Sequence, residues 1–115
     1  MSNAEKNRVL VLKFFQKISG KEKNKPLLEA FIEDNQLIDT LLLLETNFPG
    51  YQILLDEVTA EWNRVVIQGR TRGSSEAKIG KAPAEIPFAI GCRIERGKIV
   101  DHWFIADRLA ILNQT

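Results

Sequence analysis

The sequence predicts an α+β domain, and three observations predict it. Apolar residues recur at helical spacing through the first half of the chain. From Tyr51 onward they alternate, rich in β-branched residues and bounded by turn signals. The 115 residues fit a single domain, able to bury roughly two thirds of its unfolded surface. Helices followed by antiparallel strands put the helices on one face of a curved sheet. We read residues 1–115 as that domain, with 1–4 as a frayed start.

The first helix spans Glu5 to Ile18, with Val11, Phe14, Phe15 and Ile18 on one stripe and Ser19-Gly20 as its stop. Lys21 to Lys25 is a charged loop. Asn24 precedes Pro26, a good first-turn residue, and Leu27, Leu28, Phe31 and Ile32 continue the helical spacing. A third helix runs from about Asn35 to Thr46 and ends at Phe48-Pro49-Gly50. Tyr51 to Thr59 and Arg64 to Arg72 form a hairpin through Ala60-Glu61-Trp62-Asn63, where Trp62 covers one end of the sheet. Gly73 to Pro87 reads as a long loop or a distorted edge strand. Phe88 to Glu95 and Lys98 to Ile105 form a second hairpin over the two-residue loop Arg96-Gly97. Asp107 caps a short helix through Leu112.

The tight turn sets a register for the last hairpin. Counting back from it, Arg93 faces Val100, Cys92 faces Asp101, Gly91 faces His102 and Ala89 faces Phe104. One face then holds Ala89, Gly91, Arg93, Val100, His102 and Phe104. Small residues stand opposite large ones there, as in a pocket wall. The other face holds Phe88, Ile90, Cys92, Ile94, Ile99, Asp101 and Trp103, and needs a cover of helices or of another subunit. Asp101 and His102 therefore point apart and are no dyad.

Composition narrows the function. Sixteen basic and 15 acidic residues give a net charge of +1, which argues against a nucleic-acid partner. Apolar runs such as Leu41 to Leu44 fall far short of the ~20 residues that span a bilayer. Val9 to Phe15 is broken by Lys13 and lacks a cleavage site after it, so we expect a cytoplasmic protein. One histidine and the lone Cys92 supply no nitrogen/sulfur metal set, and the glycines form no phosphate loop. We expect neither metal nor cofactor.

His102 is the candidate catalytic residue, because an imidazole changes charge near neutral pH. Its orienting partner is not visible in the neighbouring sequence. Gln68 and Arg70 alternate onto one face with Val66, and Tyr51 carries a hydroxyl able to bond a substrate oxygen. Phe104, Gly91, Ala89, Val100, Tyr51, Gln68 and Arg70 are the candidate pocket residues. Asp101 is expected to pair with a basic residue, and Cys92 to be a buried, inert thiol.

The stretches NFPGYQILLDEVTAEWNRVVIQGRTRG and FAIGCRIERGKIVDHWFIADRLAILNQ resemble the SnoaL-like polyketide cyclase family of the nuclear transport factor 2-like superfamily. The resemblance covers about Asn47 to Gln114, and the helical half is compatible with it. It implies a cone-shaped α+β barrel enclosing an apolar cavity. It also implies a homodimer through the sheet, burying Ile90, Ile94, Ile99 and Trp103. Related enzymes move protons on apolar substrates without a cofactor. Family members often read His-Trp-Asp where this chain has His102, Trp103 and Phe104. The missing acid leaves two readings open. One is a cofactor-free isomerase, cyclase or hydratase acting on a small hydrophobic or polycyclic molecule through His102. The other is a non-catalytic module, either one that binds a ligand or a dimerisation domain in which Phe104, Phe14 and Phe31 fill the cone and no ligand binds.

Overall fold

A computed structural model describes residues 2–73 and 85–106. Three helices, α1 (Asn3–Ile18), α2 (Lys25–Glu29) and α3 (Asn35–Asn47), precede four strands, β1 (Gln52–Glu61), β2 (Arg64–Arg72), β3 (Glu85–Glu95) and β4 (Lys98–Ala106). The strands form an antiparallel meander in the order β1-β2-β3-β4. The predicted α+β class holds. The predicted helix after Asp107 lies outside the described residues.

Each helix starts on the side chain its sequence supplies. Ser2 Oγ accepts the Glu5 N–H, Asn24 Oδ1 the Leu27 N–H, and Asp34 Oδ1 the Gln36 and Leu37 N–H groups. The first cap starts α1 at Asn3, within the stretch read as frayed. One stripe of α1 (Val11, Phe14, Phe15, Ile18) is buried against the sheet. It meets Val65 and Ile67 of β2, Ile86, Phe88, Ile90, Cys92 and Ile94 of β3, and Ile99 of β4 in one core. The helix end is tied to β1 by Ser19, whose Oγ accepts from Ile53 N at 2.7 Å and donates to Ile53 O at 3.2 Å.

β3 begins at Glu85, three residues before its expected start at Phe88, so Pro87 sits inside the strand opposite Arg70. Ion pairs hold this end, with Arg72 at 3.0 Å and Arg70 at 3.3 Å from Glu85.

The register of the last hairpin differs from the one counted off the turn. Glu95 pairs with Lys98 and Ile94 with Ile99 as expected, but Arg93 then pairs with Asp101, Cys92 with His102, Gly91 with Trp103 and Ile90 with Phe104. Val100 is the extra residue of a β-bulge, which shifts every later pairing by one. The helix-facing side therefore carries Ile90, Cys92, Ile94, Ile99, His102 and Phe104. Ala89, Gly91, Arg93, Asp101, Trp103 and Ile105 lie on the outer side. Ile90, Ile94 and Ile99 are core residues under the helices, so only Trp103 of the four expected at a dimer contact is available to one.

Candidate functional site

His102 does have an orienting partner, 68 residues away in sequence. Its Nδ1 lies 2.5 Å from Asp34 Oδ2, and both side chains are nearly buried, at 10% and 11% exposure. Asp34 is the N-cap of α3, so one oxygen holds the helix start while the other meets the imidazole. The backbone brings them together. Ile99 N donates to Phe31 O at 2.9 Å, and Ile99 O accepts from Glu33 N at 2.8 Å, stitching the α2–α3 junction to β4. Among the described residues His102 Nε2 has no hydrogen-bond partner.

Two neighbours define the chemistry around this pair. Cys92 stands opposite His102 across β3 and β4. Burial, and then the Asp34 carboxylate, push its thiol up to about 12, so it is neutral at physiological pH and a poor nucleophile. The reading of Cys92 as an inert buried thiol holds. Phe104 follows two residues along the same face, its ring stacked on Phe88 at 6.0 Å between centroids. Asp101 points away, and its Oδ1 accepts the His102 backbone N–H at 2.9 Å.

The structure does not gather the expected pocket residues in one place. Phe104 shares the helix side with His102, and Val100 is the half-buried bulge residue. Tyr51 is buried near the other end of α3, its hydroxyl donating to Leu41 O at 3.3 Å. Gly91 and Ala89 lie on the outer face, correcting their assignment to the wall beside His102 and Phe104. Gly91 sits beneath the indole of Trp103, where an added Cβ would fall 2.2 Å from Nε1. Gln68, Arg70 and Ala89 do come together, with Asp56, Pro87 and Ile105, around an outer recess of about 580 Å³. Arg70 is engaged there by Asp56 at 2.9 Å. Trp62 covers nothing, being 81% exposed.

Asp34 is the residue that sequence reasoning missed. The available signal was its place as an acid immediately before an apolar helix.

No protein-family model matches the chain, and no curated protein matches it. Solved structures do. It is similar to a candidate SnoaL-like polyketide cyclase from Jannaschia sp. CCS1, with 18% identity over 99% of this chain and 94% of that one and a TM-score of 0.76. A candidate polyketide cyclase from Acidithiobacillus ferrooxidans has 16% identity over 99% and 96% and a TM-score of 0.74. An NTF2-like protein from Anabaena variabilis has 21% identity over 91% of each chain and a TM-score of 0.64. The chain thus has the fold of the SnoaL-like and NTF2-like proteins, as the resemblance implied. No helix among the described residues is long and apolar enough to cross a membrane.

Proposed function

We propose that the protein holds a small apolar or polycyclic molecule on the helix side of its sheet and that His102 moves a proton on it without a cofactor. The observation that carries this reading is the His102–Asp34 pair with its unoccupied Nε2. A carboxylate at Nδ1 favours the tautomer protonated there, which leaves the Nε2 lone pair as a base. That base takes a proton from a carbon next to a carbonyl and returns it elsewhere, as isomerase, cyclase or hydratase chemistry requires. Phe104 replaces a carboxylate with an apolar wall, so the proton inventory falls to His102 alone. The polyketide-cyclase names of the structural neighbours agree with this class.

The outer face suits a second copy of the chain. Trp103 is 44% and Ile105 65% exposed there, beside the recess of Gln68, Arg70 and Ala89. In this reading those residues, with Gly91, serve a homodimer rather than the ligand, and the protein works in the cytoplasm. Trp103→Glu should then shift the sedimentation coefficient from dimer to monomer. A wild-type monomer refutes the pairing.

The decisive experiment is His102→Ala, assayed against a panel of polycyclic ketones. Turnover should vanish while circular dichroism stays unchanged, and undiminished turnover would refute the assignment. A second reading rests on the packed rings of Phe14 and Phe31, 5.1 Å apart. Such packing supports a cone filled by side chains, as in a non-catalytic dimerisation domain. It predicts neither turnover nor ligand-induced stabilisation of the wild type, whereas a non-catalytic module with an open pocket predicts stabilisation alone.

A further inference from the structure

The turn between β1 and β2 displays a tryptophan that packing does not explain. Trp62 has φ 57°, a left-handed conformation that glycine or asparagine adopts more easily than a bulky aromatic. Its 81% exposure means that burial offsets none of that cost. The turn is nonetheless pinned. Asn7 Nδ2 on α1 donates to the Trp62 carbonyl at 3.0 Å, and Ile94 N donates to the Asn63 carbonyl at 2.7 Å.

Two recesses meet at the indole. One, of about 720 Å³, is lined by Lys6, Asn7, Asn63 and Arg96 among others, and the second, of about 440 Å³, by Thr59, Glu61 and Arg64. Lys6, Arg64 and Arg96 have no ion-pair partner among the described residues. Arg8, Arg70, Arg72 and Arg93 are all paired. Three cations without an ion pair thus stand against one carboxylate, Glu61, around a pinned, strained, exposed aromatic, while the other described lysines without an ion pair line neither recess.

We propose that this tip docks an acidic peptide segment of a partner protein. An apolar side chain of the segment lies against Trp62, and its carboxylates meet Lys6, Arg64 and Arg96. Strained residues persist where function requires them. Tryptophan and arginine carry a disproportionate share of binding energy at protein contacts, and a fixed anchor loses little entropy on binding. The sign of the charge selects an acidic partner. A membrane surface fits less well, because the ring stands between open recesses lined by the Asn7 and Asn63 side chains instead of crowning an apolar protrusion. The site is independent of the His102 chemistry.

The test is fluorescence anisotropy of the full chain with a labelled peptide of glutamates around one phenylalanine. Trp62→Asn should weaken binding by at least about tenfold. It should leave the melting temperature unchanged or higher, because asparagine accepts this φ. Added salt should weaken wild-type binding. The proposal is overturned by no binding to the wild type, or by equal binding to Trp62→Asn. It also fails if the lysine counterpart of the peptide or phosphatidylserine vesicles bind more tightly. A melting temperature lowered in Trp62→Asn would make the residue structural and sink the idea as well.

Discussion

Charged groups tie α3 to the rest of the molecule at both ends, and the two ties differ in kind. At the C-terminal end, Lys23 Nζ donates to the carbonyls of Lys21 and Tyr51, both at 2.8 Å, and to Glu45 Oε1 at 3.4 Å. It also lies 3.7 Å from the centre of the Tyr51 ring, and Glu45 Oε2 accepts the Gly50 N–H at 2.9 Å. Three acceptors use all three donors of the ammonium. At the N-terminal end, Asp34 serves its helix with one oxygen and His102 with the other, and the imidazole keeps a nitrogen in reserve. A saturated cluster fastens, whereas one with a spare lone pair can also react.

Breaking the saturated tie should have the largest effect on stability. Lys23 is fully buried, and burial holds its ammonium below the ordinary lysine range while Glu45 opposes the shift. Lys23→Met strands the Glu45 charge and two carbonyls, so it should cost about 3–5 kcal/mol in urea unfolding. A loss below about 1 kcal/mol would mean that the cluster fastens nothing.

The other tie separates stability from chemistry. Asp34→Asn keeps a good cap and should change stability by less than about 1 kcal/mol, while Asp34→Ala should lose about 1 kcal/mol or more. Both should lower any His102-dependent turnover by about a hundredfold or more, measured as kcat. Equal turnover in Asp34→Asn would reduce the pair to a helix cap.

Alkaline pH gives a smaller, graded effect. Cys92 is pushed from 9.0 up to about 12, so the folded state keeps a proton that the unfolded state releases. Its contribution is complete below pH 9 and disappears as pH rises towards about 12, at no more than about 1.4 kcal/mol per pH unit. Tyr51, raised by burial and by Glu45, acts in the same direction. Lys23 acts in the opposite one, since a lowered lysine favours folding as pH rises through its folded value. Cys92→Ala should therefore flatten the alkaline decline in stability, and an unchanged slope would remove Cys92 from the account. Gly91→Ala, on the face opposite the pair, should cost about 1 kcal/mol or less, because a half-exposed indole can swing aside. A shift in Trp103 emission would report that movement.

Much of this was legible in sequence for a physical reason. Helical spacing in Val11, Phe14, Phe15 and Ile18, and alternation from Tyr51 onward, record which side of each element meets the core. The Arg96-Gly97 turn was equally readable, and the structure gives both residues positive φ. The bulge was not, because an extra residue at Val100 leaves the apolar composition of β4 unchanged. That one residue put His102 on the unexpected face. Its partner was hidden for a different reason. Contact between Asp34 and His102 depends on the α2–α3 junction lying alongside β4 through Ile99, and no local pattern encodes such a contact.

Val100 gives β4 a parity. Before it an odd-numbered residue, Ile99, faces the helices; after it the even-numbered His102 and Phe104 do. Whether the imidazole meets Asp34 or solvent is therefore decided by whether the ladder leaves Val100 unpaired, not by the kinds of residue around it. Deleting Val100 alone should therefore remove the bulge and leave His102 opposite Cys92, its ring NMR signals still those of a partnered imidazole, whereas one residue inserted between Asp101 and His102 should turn the ring outward. At the level of the gene, a single codon gained between Asp101 and His102 is enough to erase the pair, and its loss to restore it. A candidate site on this strand can appear or vanish in one inherited step, with every side chain that composes it already present.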